Sequence, residues 1–195
     1  VHSPLAAELN IQGIYDAVGD KIREIFHNSD MGIRIYDPAT NLVHFPYLYE
    51  RGVRMVVPSA PLPATGFGPH VLRTRETLVI NENMEEATAK FGSFTLPGTE
   101  SEQSAIFVPL IAGEQARGLI NLFDMEREHA FNDSDVRLLQ TLANSMSVAL
   151  ENARLFDETQ RLFKQSEQRA AELAIINSVQ EGLAAELDFQ AIIDL

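Results

Sequence analysis

The reactive chemistry open to this chain is narrowed at once by the residues it lacks. It has no cysteine, which removes thiolate nucleophiles, disulfides, zinc ribbons and covalent thioether cofactors. Two carboxylate pairs, Glu85-Glu86 and Glu100-Ser101-Glu102, fall in segments that read as solvated loops rather than as general acid–base pairs. Gly66-Phe67-Gly68 runs on into Pro69-His70, without the third glycine of a dinucleotide loop or the lysine of a phosphate loop. Serine, histidine and aspartate occur without a nucleophile elbow. The run from Asp124 to His129 contains metal-ligand types, but it reads as a polar hairpin end leading into a helix cap. No enzyme motif remains, and the chemistry left is non-covalent recognition.

The elements that would position such a site alternate between helix and strand. Ile11 to His27 carries apolar residues at helical spacing, with one face to bury. Met31–Tyr36 and Leu42–Tyr49 read as strands around the turn 37–41. Pro58–Pro69 reads as loop, Pro69–Thr74 as a short helix, Leu78–Ile80 as a brief strand and Asn81–Ala89 as a short helix or turn. After a loop over 91–103, Ala105–Ile111 and Arg117–Asp124 form a hairpin through Ala112-Gly113-Glu114-Gln115. Asn132-Asp133-Ser134 supplies cap chemistry for a long helix with no glycine or proline before Gly182. Strand alternation puts Ile33, Ile35, Ile106, Val108, Leu110, Ile120 and Leu122 on one face, which suits packing against helices. The opposite face carries Arg34, Tyr36, Phe107, Asn121 and Phe123, the polar and aromatic mixture of a ligand pocket. Hydrogen bonds from Arg34 and Asn121 to the covering loops are the competing reading.

The 195 residues suit one domain with an appendage, and 45% are hydrophobic, enough for a real core. A net charge of -13 argues against nucleic acid and anionic membrane as partners. No apolar run approaches the roughly 18 residues of a membrane span, and no signal peptide is evident, so a cytoplasmic location is expected.

The two ends resemble each other. Leu5 to Asp16 matches Leu183 to Asp194 at the Leu, Ala, Ala, Glu, Leu, Gln, Ile and Asp positions, and Asn10 and Asp188 each sit where an N-cap belongs. A second copy of the module is expected to begin near residue 180. In the long helix Leu142, Ala149, Phe156, Phe163 and Ala170 recur every seven residues, with Met146 flanking, while Ser145, Asn152, Thr159 and Ser166 interrupt the seam. Residues up to about Leu155 can pack on the sheet. Phe156 and Phe163 lie beyond it and call for a partner helix. A parallel homodimer follows, with Leu142, Met146, Ala149, Phe156 and Phe163 at its interface.

One segment resembles the C-terminal half of GAF domains: Ser104 to Leu110, Gly113, Gly118 to Leu122, Phe131, Asp135 to Leu139, Ala143, and Ala149 to Ala153. Gly66-Phe67-Gly68, Val71-Leu72, Thr74 to Glu76 and Leu78 to Ile80 look like the family's middle segment, so the resemblance covers about residues 9 to 155. It implies an α+β sandwich with an antiparallel sheet of about six strands. The terminal helices would lie on one face, the loops and short helices roofing a pocket on the other, and a long C-terminal signalling helix would follow. The expected division is a sensory domain over 5–155, a coiled-coil linker helix over 156–181 and the start of a second repeat over 182–195. Bilin photoreceptors and sulfoxide reductases of this fold depend on cysteine, so neither chemistry fits. The cyclic-nucleotide motif of the family is only partly matched. Its Asn-Lys positions fall on Asp124-Met125, Phe131 and Asp135 agree, and Val136 replaces the final Glu. Of His2, His27, His44, His70 and His129, His70 is the candidate haem ligand, though a loop hydrogen-bonding role suits it better.

Two functions are compatible with these residues. One is a non-catalytic sensor that binds a small molecule of unknown identity between the sheet (Arg34, Tyr36, Phe107, Asn121) and the roof (Phe67, His70, Asn81, Met84, Phe94), and passes the signal along the helix to a downstream output domain in the same chain. The resemblance implies a histidine kinase, nucleotide cyclase or cyclic-di-GMP enzyme as that output. The other is a structural dimerisation relay without a ligand. The state of the pocket separates them.

Overall fold

A computed structural model describes residues 4–27, 30–95 and 100–193, with side chains described from Asn10 to Ala185 within those ranges. His2 and the last two residues of the C-terminal repeat segment lie outside the described residues. The elements in chain order are α1 (Pro4–Phe26), β1 (Met31–Asp37), β2 (Leu42–Glu50), β3 (Val53–Arg54), β4 (Ala60–Pro61), α2 (Phe67–Thr74), β5 (Leu78–Ile80), α3 (Met84–Phe91), β6 (Ser104–Ala112), β7 (Gln115–Asp124) and α4 (Asp133–Ile193). The sheet is antiparallel with seven strands in the order β3-β2-β1-β7-β6-β5, β4 pairing with the other end of β2. The two strands absent from the sequence reading, β3 and β4, are two residues each, too short to show alternation.

The alternation in β1, β6 and β7 sorts the core into two clusters. Met31, Ile33, Ile106, Val108, Ile120 and Leu122 share one cluster with Ile22 of α1 and Leu139, Ala143 and Met146 of α4. These side chains are at most 3% exposed, and each contributes about 1.5–3 kcal/mol where it is large and fully buried. Close approach of α1 to the sheet depends on Gly19. A Cβ there would stand 2.4 Å from the Tyr47 ring, whose hydroxyl donates to Asp20 Oδ1 at 2.7 Å. The other face packs Leu48, Phe107, Leu119 and Phe123 against Phe67 and Val71 of α2 and Met84 of α3.

The helix boundaries correct one expectation. Asn10 lies within α1 and Asp188 within α4, so neither caps a helix start. Pro4 opens α1, where a missing N–H has no intrahelical partner to lose. Both repeat segments are therefore helical where described. The cap of α4 is as expected: Asn132 Oδ1 accepts the N–H groups of Ser134 and Asp135 at 2.8 and 3.1 Å, and Asn132 N–H donates to Asp135 Oδ2 at 2.8 Å. The helix continues through Gly182 to Ile193. One compact unit ends at Ala153, and Arg154 onward forms a second.

Candidate functional site

The sheet face away from α1 and α4 carries two adjoining cavities beneath the roof formed by α2, α3 and the segments around them. The larger is about 450 Å³ and is walled by Val43, Phe45, Val57, Pro61, Leu72 and Leu119. The smaller, about 60 Å³, is polar, with Glu50, Ser93, Ser101, Glu102 and Asn121 among its walls. Arg34, Phe67, Ser93 and Phe94 line both. The roof is tied together locally. Gly66 N–H donates to the Phe91 carbonyl at 2.8 Å, and Thr65 Oγ1 donates to the Gly92 carbonyl at 3.1 Å. The Phe67 and Phe91 rings meet edge-on at 5.7 Å.

The β1–β7 register sets the polar pair. Gly32 lies opposite Asn121 and Arg34 opposite Leu119, so Arg34 and Asn121 project from one face as diagonal neighbours. Gly32 leaves room for the amide, since a Cβ there would stand 2.8 Å from Asn121 Oδ1. Asn121 is 2% exposed, and its Oδ1 accepts no hydrogen bond among the described residues. The Arg34 guanidinium stands 5.8 Å over the Phe45 ring, beneath the start of α2. Among the described residues it forms no salt bridge. Burial pulls its pKa down, against the opposing charge of Glu102. Burial pushes the Glu102 carboxyl up, opposed by its own backbone N–H and by Arg34. A half-buried cation and a buried acceptor thus face the cavities side by side, and the acceptor costs about 1–3 kcal/mol wherever neither water nor a ligand meets it. Both can be satisfied by a molecule in the cavity.

Of the nine residues expected at the site, six line these cavities. Arg34, Phe67 and Phe94 touch both, Tyr36 the larger, and Phe107 and Asn121 the smaller. Tyr36 also donates to Asn41 Oδ1 at 3.2 Å. The other three line neither. His70 packs edge-on to the Phe91 ring at 4.8 Å. Asn81 clamps the approach to α4: its Nδ2 donates to the Phe131 carbonyl at 2.7 Å and its Oδ1 accepts Phe131 N–H at 3.3 Å. Met84 is buried in the second apolar cluster. Glu102 and the apolar stretch around Val57 and Pro61 were missed. For the apolar stretch the signal is a loop too rich in proline and aliphatic residues to face only water; for Glu102, in the polar run 100–103, the sequence offers none. Asp124 accepts Glu126 and Arg127 N–H and the Arg127 guanidinium, and no cluster that could hold a metal ion occurs among the described residues.

On α4, Leu142 and Met146 pack on the sheet, and Met146 is 1% exposed. Ala149 is half-buried, while Phe156 and Phe163 are 53% and 62% exposed. No described helix is long and apolar enough to cross a membrane.

Comparison with known proteins places this architecture. The formate hydrogenlyase transcriptional activator of Salmonella typhimurium is 27% identical over 93 residues, 47% of this chain but 13% of that protein. The chain thus spans about an eighth of the length of that curated relative. The GAF domain of an Acinetobacter phosphoenolpyruvate-protein phosphotransferase superposes with a TM-score of 0.58 at 15% identity, covering 78% of this chain and 96% of that one. The type II free methionine-R-sulfoxide reductase of Thermoplasma acidophilum gives 0.57 at 15% identity, covering 75% and 96%. The profile of the family described as GAF domain matches residues 8–151, so the chain belongs to the GAF domain family.

Proposed function

We propose that this GAF domain is a non-catalytic sensor that binds a small molecule beneath its roof and relays occupancy through α4. The observation that carries the reading is the pairing of Arg34, at the junction of the two cavities, with Asn121 in the smaller one, among the described residues a cation without a salt bridge and an acceptor without a donor. A purely structural relay has no use for a cation and an acceptor aimed together into a cavity. A ligand that contacts both sheet and roof binds the closed roof more tightly than the open one, and that difference is what can shift an equilibrium. The absence of cysteine argues against reductase chemistry of the kind named for the Thermoplasma relative, and the site of action in this reading is the cytoplasm.

The output side rests on the second unit. Leu155, Phe156, Leu162, Phe163, Ile176 and Leu183 are 46–62% exposed, and Leu155, Leu162, Ile176 and Leu183 share one seven-residue register. Such a ridge is satisfied by a second copy of the same helix. The reading is therefore a parallel homodimer whose helices pass a change in packing to a module further along the chain. The test is thermal melting with fractionated low-molecular-mass cell extract. An active fraction should raise the melting temperature of the wild type and leave the Arg34→Ala, Asn121→Ala double variant unmoved. An equal shift in both would remove this site from the account.

A further inference from the structure

The reading of the domain as a sensor leaves the class of ligand open, and the walls of the two chambers narrow it. The smaller chamber holds a handful of water-sized groups, which is room for a head group and not for a ring. Its charged walls are Arg34 and the carboxylates of Glu50, Glu100 and Glu102. Two of those carboxylates are engaged. Glu50 Oε1 accepts Glu100 N–H at 3.1 Å, and Glu100 Oε2 pairs with Arg51 at 2.8 Å. Among the described residues, what remains without a salt bridge or a side-chain hydrogen bond is one guanidinium, one amide oxygen and the Glu102 carboxyl, the two charged groups sensing each other at longer range. The larger chamber, reached past Arg34, is walled by aliphatic, proline and aromatic side chains.

We infer that the ligand is a free α-amino acid with a bulky apolar side chain, its carboxylate on Arg34, its ammonium group toward Asn121 Oδ1 and Glu102, and its side chain in the larger chamber. A guanidinium with no salt bridge recognises a planar carboxylate with two parallel donors. An ammonium group supplies the donors that Asn121 Oδ1 lacks and faces the Glu102 carboxyl. A simple carboxylate satisfies Arg34 but leaves the buried amide oxygen unpaired, among walls that carry more negative than positive groups. An amine satisfies Asn121 and leaves the guanidinium bare. A head group carrying both charges two bonds apart meets the guanidinium, the amide oxygen and the Glu102 carboxyl together within a chamber this small. The apolar walls beyond Arg34 then reward side-chain size and exclude side-chain charge.

Isothermal titration of ligand-stripped protein with four matched series tests the assignment: leucine, methionine and phenylalanine; the same acids without the amino group; the corresponding amides; and the corresponding decarboxylated amines. The expected result is binding by at least one amino acid. Its desamino analogue should bind about tenfold to a hundredfold more weakly, the cost of an unmet buried acceptor, and its amide and amine at least as poorly. Arg34→Ala should abolish binding and Glu102→Gln weaken it. An analogue lacking either charge that binds as tightly as its amino acid overturns the assignment. Failure of every series is read with the mass of the protein before stripping. A bound molecule without the carboxylate–ammonium pair overturns the ligand class and leaves the sensor reading standing. No bound mass at all overturns both.

Discussion

Replacing Arg34 with methionine should stabilise the ligand-free domain while abolishing its response to ligand. The two side chains are similar in length, so the change exchanges a largely buried charge for an apolar group without opening a large cavity. Exchanging buried ionic groups for apolar ones of similar volume ranges from neutral to stabilising by about 1–4 kcal/mol. Here the guanidinium has no salt bridge among the described residues, and burial depresses its pKa. Against that stands the loss of its contact with the Phe45 ring at 5.8 Å, worth about 0.5–1 kcal/mol. Subtracting that contact leaves a net gain of up to about 3 kcal/mol. For a domain of this size, at roughly 2–4 °C per kcal/mol, the melting temperature rises by up to about 12 °C. The assay is urea denaturation and thermal melting of protein unfolded, dialysed free of small molecules and refolded, followed by melting with ligand. A ligand-free Arg34→Met variant less stable than wild type by more than about 1 kcal/mol would refute the reasoning, because Arg34 would then be held by the fold and not kept for a ligand.

Three further outcomes follow from separate parts of the structure. Asn81→Ala removes two hydrogen bonds to the Phe131 backbone and should cost about 1–3 kcal/mol in chemical denaturation, with ligand affinity unchanged because Asn81 lines neither cavity. Phe156→Glu with Phe163→Glu should halve the mass measured by light scattering and leave the melting of the compact unit within about 0.5 kcal/mol, since both side chains are exposed in the single chain. The third concerns pH. Glu102 is raised by burial, so the folded state holds its proton more tightly than the unfolded state. Its contribution to stability is present at and below the ordinary carboxylate range and is lost as pH rises through the raised value. Glu102→Gln should flatten that decline in ligand-free protein, as followed by denaturation midpoints across the acid-to-neutral range.

Much of the site could be read from alternation. Once β1 and β7 were recognised, Ile33 and Ile120 had to face one way and Arg34 and Asn121 the other, because side chains on a strand alternate. What alternation could not show was the register. Only the pairing of Gly32 with Asn121 explains why the amide has space and why its oxygen is left open. The roof was harder, because covering segments are fixed by contacts distant in sequence. His70 was placed in the pocket by its position near Gly66-Phe67-Gly68, yet the helix turns it onto Phe91. Asn81 looked like a pocket amide and instead holds the β7–α4 connection to β5. The expected cap at Asn10 failed because asparagine is tolerated within a helix, and α1 is already helical from Pro4. In α4 the seven-residue spacing runs through Leu142 and Phe156 alike, although Leu142 packs against the core and Phe156 is exposed. Periodicity records that a face is apolar and not what covers it.

Native mass spectrometry of freshly purified protein is the most direct test of the central claim, that a small molecule occupies the cavity between Arg34 and Asn121 in a dimeric sensor. The account predicts a dimer carrying one non-covalent small molecule per chain, and the same dimer without it for the Arg34→Ala, Asn121→Ala variant. Wild-type and variant proteins that both appear at the bare chain mass, or that carry the same bound molecule, would contradict it.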